Sequence, residues 1–329
     1  MINIENKLLE NKTFIDLFAG IGGFRIALES LGAKCVYSNE IDKFAKEAYY
    51  NNFGELPDDD ITKVDEKSIP NHDILCAGFP CQAFSISGKQ KGFNDNRGNL
   101  FFDIARILKY QKTKVVFMEN VKNIVNHDNG KTLNTIKKIM NELDYDFYYK
   151  ILNASDYGIP QKRERVYIVC FRKDLNIKKF NFPKPIELIN HLEDFLLEEN
   201  QVPNDIYINR NDIIMNYLKD NKYSNKSIRL GIVNKGGQGE RIYSTKGVAI
   251  TLSADGGGVF SKTGGYLING KYRKLMPREC ARIMGYPDSF KIIDNKNQAY
   301  KQFGNSVVID VLQYIAIEIA EKISYANIF

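Results

Sequence analysis

The sequence predicts an α/β protein, with a largely parallel sheet covered on both faces by helices and a smaller β-rich part behind it. Three observations carry this. Short continuous apolar runs alternate with helically spaced ones through the first half, the pattern of strands joined by crossover helices. The composition turns polar and glycine-rich after about Pro183. A last apolar segment, too hydrophobic to stand alone, closes the chain. With 43% hydrophobic residues among 329, there is enough material for a substantial core.

Phe14 to Phe18 reads as a buried strand, Gly20 to Gly23 as a turn, and Phe24 to Leu31 as a helix stopped by Gly32. Cys35 to Glu40 is the next strand and Asp42 to Phe53 the next helix. His72 to Gly78, Val115 to Asn120 and Arg165 to Phe171 are further strands, and Leu100 to Lys109 and Gly130 to Leu143 further helices. Ligands of such sheets bind beyond the carboxyl ends of the strands, where Gly20, Glu40, Cys81 and Glu119 fall. Lys89 to Arg97 reads as a mobile loop. Residues 187–226 are polar and weakly periodic. Ile228 to Tyr272 is dense in Gly, Ser, Thr and short β-branched runs, a small β domain with many turns. A helix at Pro277 to Met284 opens on its proline. Val307 to Ile323, apolar at helical spacing, is expected to return to the first domain. The implied division is 1–186, completed by 304–329, and 187–303 with a hinge.

A net charge of +6 suits a partner carrying phosphates without demanding one. Five cysteines with no paired spacing argue against a disulfide framework or zinc site, and three histidines without ligand spacing leave no metal to assign. No secretory leader and no apolar run of membrane-spanning length are read, so a cytoplasmic, non-membrane protein is expected.

Phe18-Ala19-Gly20-Ile21-Gly22-Gly23 joins a strand to a helix, and its glycines let backbone approach a ligand. Glu40, twenty positions past Gly20 at the end of the second strand, is placed to take both hydroxyls of a ribose. The turn lacks the dinucleotide spacing, and no Arg or Lys is set to hold a pyrophosphate. That favours S-adenosylmethionine, which has a ribose and no phosphate. Cys81, in Gly78-Phe79-Pro80-Cys81-Gln82, sits in a proline-flanked turn and is a candidate nucleophile; Glu119, in Glu119-Asn120-Val121, is a candidate acid. Cys35, Cys76, Cys170 and Cys280 sit in apolar runs and read as inert core residues. Gln161-Lys162-Arg163-Glu164-Arg165 puts two arginines on one face at period two, suited to a catalytic carboxylate, the exocyclic groups of a base or a phosphate.

Together with Asp16-Leu17-Phe18-Ala19-Gly20 and Gly304-Asn305-Ser306-Val307, these motifs resemble the bacterial cytosine-5 DNA methyltransferases over nearly the whole chain. The resemblance implies a Rossmann-like S-adenosylmethionine methyltransferase domain, a smaller target-recognition domain and a DNA cleft between them. Carbon 5 of cytosine is a poor nucleophile until a thiolate adds at carbon 6, which is easier when N3 is protonated or hydrogen-bonded. By motif position Cys81 is then the nucleophile, Glu119 the acid at N3, and Arg163 and Arg165 the supports. Phe18, Gly20, Gly22 and Gly23 lie against the cofactor. Glu40 takes the ribose, Asp60 and Ile61 meet the adenine edge, Pro80 and Leu100 line the pocket, and Asn305 and Ser306 lie near the methionine end. Ile41 stands where an aromatic ring would stack on adenine.

A duplex base is out of reach of Cys81, so the target must be flipped out. The resemblance gives Ser87 and Gln238 to fill the gap and Arg241 to read guanine, with Ser85, Lys89 and Arg97 on the loop side. Cys76 to Lys91 and Gly236 to Thr251 resemble GCGC-methylating members most closely, which implies that site, methylated at its inner cytosine. Asp255, beside Gly257, stands where Tyr is expected; it would repel phosphate or accept from a cytosine amino group. The expected protein is a monomer acting on double-stranded DNA, modifying it alongside a restriction endonuclease whose presence the chain does not reveal. The rival readings are a tRNA cytosine methyltransferase and a non-catalytic DNA-binding relative.

Overall fold

Two six-stranded sheets organise the molecule. The computed structural model describes residues 7–80, 100–216 and 222–325. The first sheet contains β1 (Thr13–Leu17), β2 (Lys34–Asn39), β3 (Ile74–Ala77), β4 (Val115–Val121), β5 (Tyr145–Asn153) and β6 (Glu164–Arg172), in the order β2-β1-β3-β4-β6-β5. The first four are parallel; β6 runs antiparallel to β4, and β5 antiparallel to β6. Leu17 lies level with Asn39 and Ala77, and Ala77 with Met118. The next residue of each strand, Phe18, Glu40, Gly78 and Glu119, therefore emerges in one row along the carboxyl edge.

The alternation of side chains splits the core into two layers. Phe14, Cys76 and Phe117 face α1 (Gly23–Glu29), α2 (Lys43–Phe53) and, further along the chain, the closing helix; Leu17, Leu75 and Met118 face α3 (Phe101–Gln111) and α4 (Lys131–Glu142). Asp42 starts α2 by accepting from the amides of Phe44 and Ala45, and Gly54 ends it at φ 72°.

The second sheet contains β7 (Tyr207–Ile208), β8 (Ile214–Met215), β9 (Arg229–Ile232), β10 (Arg241–Ser244), β11 (Gly265–Ile268) and β12 (Lys271–Lys274), in the order β7-β12-β11-β10-β9-β8. It is joined to α5 (Pro277–Arg282) by a fully buried ion pair, Arg273 Nη2 to Glu279 Oε1 at 2.6 Å. Glu279 also accepts from the amides of Met276 and Leu197, so its charge is fully solvated by the protein. Next come α6 (Lys296–Asn305) and α7 (Ile309–Tyr325). The α6 helix touches both sheets' territories: Tyr300 Oη donates to Leu275 O at 2.7 Å and Gln302 Nε2 to Phe44 O at 2.8 Å. The closing helix α7 returns to α1, as its apolar face predicts, with Ile309, Leu312 and Ile319 in the first layer.

Three features differ from the sequence expectation. The edge strand β5 was not expected, because its half-exposed pattern carries no continuous apolar run. The polar helix α6 has too little apolar periodicity to be read. The helical stretch Lys296–Ser324 is long and apolar enough to cross a membrane, but 72% of its apolar window is buried inside the protein, which makes it a core helix. Cys35, Cys76, Cys170 and Cys280 are free and buried, the core positions their surroundings imply.

Candidate active site

After β1 the chain reverses through Phe18 and Gly20, both at φ 56°, and Gly22 at φ 83°. A Cβ at Gly20 would meet nothing within 4 Å, so this glycine opens onto free space. Gly22 does not reach that space; a Cβ there would strike the Phe53 ring. Glu40 lies over the turn, its two carboxylate oxygens accepting from the amides of Gly20 and Asp42, each at 2.8 Å. The carboxylate is thus fixed in direction before any ligand arrives, the pre-organisation that a ribose site needs.

Two abutting cavities follow the carboxyl edge. The smaller is lined by Phe18, Gly20, Gly23, Glu40, Asn305 and Ser306. The larger, of about 610 Å³, shares Phe18, Gly20, Glu40, Glu119 and Asn305 with it and adds Ile41, Asp60, Ile61, Pro80, Leu100, Arg163 and Arg165. Its size is that of small-molecule sites in general. Ile41 is 69% exposed at the rim. Asp60 starts a single turn at Ile61–Lys63, accepting from Thr62 N and Oγ1, and these bonds hold its pKa below the usual carboxylate value.

Glu119 is buried near the end of β4, with Arg165 Nε 3.2 Å from its Oε1. Burial pushes its pKa above the ordinary carboxyl range, and Arg165 and then Arg163 oppose that without cancelling it. Burial thereby favours the proton-bearing form relative to a free carboxyl. Of the two arginines, only Arg165 ion-pairs with Glu119. Arg163 donates instead to three carbonyls, Leu252 O at 3.0 Å, Gly304 O at 2.9 Å and Ser306 O at 2.5 Å. It pins the segment leaving the second sheet, and the one returning from α6, to the floor of the cavity. Burial and the neighbouring Arg165 lower its pKa to about 9, still above neutral, so it stays charged.

Cys81, Ser85, Ser87, Lys89 and Arg97 lie outside the described residues. Pro80, the residue before Cys81, lines the same cavity as Glu119. The backbone at Phe79 is fixed by Asn120, whose Nδ2 donates to Phe79 O at 2.7 Å.

Gln238 is exposed on the one-turn helix Gln238–Glu240, and Arg241 begins β10 with Nε donating to Gly236 O at 3.2 Å. This turn is stacked on the Gly256 to Gly258 loop. A Cβ at Gly239 would overlap Gly257 O, and Phe260 N donates to Gly239 O at 2.8 Å. Thr251 to Ala254 line the larger cavity, and exposed Asp255 follows them directly. The candidate DNA residues are therefore connected to the cavity through backbone packed on backbone.

Sequence reasoning missed several supports. Arg106 donates to Ile61 O at 3.0 Å and Val64 O at 2.8 Å, bracing the loop after Asp60. Tyr286 Oη lies 2.6 Å from Ser306 Oγ at the far end of the smaller cavity. Lys301 Nζ lies 2.9 Å from Asp42 Oδ2. Each acts across more than a dozen residues of chain and belongs to none of the motifs, so only the fold reveals it.

A doubly wound sheet with a glycine turn, an acidic residue after the second strand and a buried Glu–Arg pair at the fourth defines a nucleotide-cofactor transferase with an acid poised at its centre. The chain belongs to the C-5 cytosine-specific DNA methylases, whose family it matches over residues 12–321, and is a DNA cytosine-5 methyltransferase of Rossmann-like fold. It is 66% identical to the Type II methyltransferase M.HhaI of Haemophilus parahaemolyticus, over 99% of either chain. It is 43% identical to M.HpaII of Haemophilus parainfluenzae, over 96% of this chain and 91% of that one. The crystal structure of the S. pombe Dnmt2 methyltransferase superposes with a TM-score of 0.73 at 20% identity, covering 96% of this chain and all of that one, a likeness of fold.

Proposed function

We propose that the protein methylates carbon 5 of the inner cytosine of GCGC in double-stranded DNA, as the modification partner in a restriction–modification system of the cytoplasm. The observation that carries this reading is that Glu119, buried and paired with Arg165, borders the same cavity as the glycine turn and Glu40. The 66% identity to M.HhaI over 99% of either chain supports the site. We assign residues 1–186 and 304–329 to catalysis and 187–303 to target recognition and the hinge.

The cavity suits S-adenosylmethionine. Glu40 offers two fixed carboxylate oxygens to a ribose, Gly20 leaves room for close approach, and Ile41, Ile61, Pro80 and Leu100 give apolar walls for an adenine. An aliphatic Ile41 replaces stacking with a weaker contact. When bound, the cofactor supplies the methyl group as an electrophile and leaves as S-adenosylhomocysteine. The Cys81 thiolate adds to carbon 6 of the flipped cytosine while Glu119 gives its proton to N3, which makes carbon 5 nucleophilic. After transfer, loss of the carbon 5 proton to a base and expulsion of the thiolate restore the ring. Arg165 holds Glu119 in place. Gln238, with Ser85, Ser87, Lys89 and Arg97, fills and flanks the vacated stack, and Arg241 and the Asp255–Gly257 segment read bases.

Bisulfite sequencing of an unmethylated plasmid, incubated with the protein and S-adenosylmethionine, tests this. Protection confined to GCGC is expected, and Cys81→Ser should abolish it while retaining DNA binding. Protection at another sequence would reassign Asp255 and its neighbours. No protection, with the cofactor bound and tRNA methylated instead, would overturn the DNA reading.

A further inference from the structure

The segment from Asp60 to Ile69 carries the Asp60 and Ile61 part of the larger cavity's wall and includes the single turn Ile61–Lys63. It is held from α3. Arg106 Nη2 donates to Ile61 O at 3.0 Å and Nη1 to Val64 O at 2.8 Å. The same two nitrogens pair with acids, Nη1 with Glu66 Oε2 and Nη2 with Asp103 Oδ1 at 3.3 Å. Further along α3, Gln111 Nε2 donates to Glu66 O and Ile69 O, each at 2.8 Å. A planar guanidinium with four partners is fixed in orientation, so both carbonyls are held at set points against the helix. Leu100, at the start of α3, lines the same cavity. Arg106 therefore ties together two pieces of one wall that lie far apart in the chain.

The turn that Arg106 grips also aims the Asp60 carboxylate. Asp60 Oδ1 accepts from Thr62 N at 3.1 Å and from Thr62 Oγ1 at 2.8 Å, and Lys63 Nζ lies 3.4 Å from Oδ2. The bonds from Thr62 first, and Lys63 after them, favour the ionised carboxylate. An ionised carboxylate accepts hydrogen bonds and donates none. At the edge of a purine it suits an amino group and opposes a carbonyl oxygen in the same place.

We propose that Arg106 is a positioning residue that makes the cavity select adenine over a purine carrying oxygen at carbon 6. It holds the Ile61–Lys63 turn, and with it the Asp60 carboxylate, at a fixed place relative to Leu100. Hydrogen bonds weaken steeply with misalignment, whereas apolar contact tolerates it. Loss of the guanidinium therefore costs the contact between Asp60 and the amino group and largely spares the contacts of Ile61 and Leu100 with the ring. Gln111 keeps the far end of the segment attached, so the turn shifts without coming away. The inference rests on the cavity being the S-adenosylmethionine site and on Asp60 meeting the adenine edge.

The test is titration calorimetry of S-adenosylhomocysteine and S-inosylhomocysteine, which differ by amino against oxygen at carbon 6, into the full chain. The proteins are the wild type, Arg106→Met, Arg106→Lys and Gln111→Leu. The wild type should prefer the adenine compound by roughly 10- to 100-fold, the scale of one hydrogen bond to a charged group. Arg106→Met should bring that preference below about threefold, almost wholly through weaker binding of S-adenosylhomocysteine. Arg106→Lys, which can reach one carbonyl, should fall between, and Gln111→Leu should keep the wild-type ratio. A merely structural role would lower the melting temperature, or both affinities together, and leave the ratio unchanged. A wild-type ratio in whichever of the two Arg106 variants folds overturns the inference, as does a wild type without preference. A wild type that binds neither compound overturns the assignment of the cavity itself, and the inference with it.

Discussion

The two sheets are held by different forces. The first is clamped between two extensive apolar layers, with Phe14, Phe117, Met118 and Phe171 fully buried. Among the described residues, the separate buried apolar cluster of the second sheet consists of Val233, Ile242 and Phe260. What the second lacks in apolar burial it makes up in directional and steric contacts: the Arg273–Glu279 pair inside it and glycine backbone packed on glycine backbone at its tip. Apolar burial fixes a strand edge firmly, so the carboxyl edge can hold Glu40 and Glu119 in register. Contacts made by backbone and a few charges leave side chains such as Gln238 and Asp255 exposed.

The largest expected effect separates chemistry from scaffold. Glu119→Gln should cut single-turnover methylation by roughly 10²- to 10⁴-fold, the usual weight of a general acid, while leaving the thermal melt close to wild type. Next, Arg273→Met strands the Glu279 charge and should cost about 3–5 kcal/mol in urea unfolding. Phe117→Ala should cost a similar amount through a cavity in the first sheet. The two should differ in kind: Arg273→Met weakening DNA binding before cofactor binding, and Phe117→Ala losing both together. A common loss in both variants would mean the two regions unfold as one.

Gly239→Ala forces the turn off Gly257 and should weaken DNA binding by about 1–3 kcal/mol, with S-adenosylhomocysteine affinity unchanged by calorimetry.

The smallest effect concerns Asp16, in the middle of β1. It is fully buried, and among the described residues neither carboxylate oxygen has a hydrogen-bond partner. Burial raises its pKa to about 8, only partly opposed by Arg25. The folded state therefore holds this proton more tightly than the unfolded one. The stability it confers is complete below the unfolded pKa and is lost as pH rises toward about 8. Asp16→Asn should flatten that part of the melting-temperature profile between acid and mildly alkaline pH. An unchanged slope in the variant would assign the pH dependence to other groups.

Much of the first sheet was legible because a strand buried on both faces must be an apolar run, and β1 to β4 and β6 are such runs. The edge strand β5 was not, since Tyr149 and Lys150 look to solvent and the strand has neither a continuous run nor a clean alternation. Glu40, Glu119 and Arg165 were legible because their chemistry is tied to short motifs at strand ends. Arg163 was read as a partner for a carboxylate, the exocyclic groups of a base or a phosphate, and its three carbonyl partners, 89, 141 and 143 residues away, were not legible. Lys301 and Asp42 are 259 residues apart, a pairing that only the return of the chain to its own beginning creates.

That return has a consequence for synthesis. The helix α7 covers α1, yet it leaves the ribosome after both sheets. A nascent chain that has already made its first sheet still exposes the apolar side of α1 and lacks Asn305 and Ser306 at the cavity wall. The second sheet must form while the first waits unfinished. A newly made molecule therefore cannot complete the wall of that cavity before its second sheet exists, and it passes through a long-range closing step that slows folding.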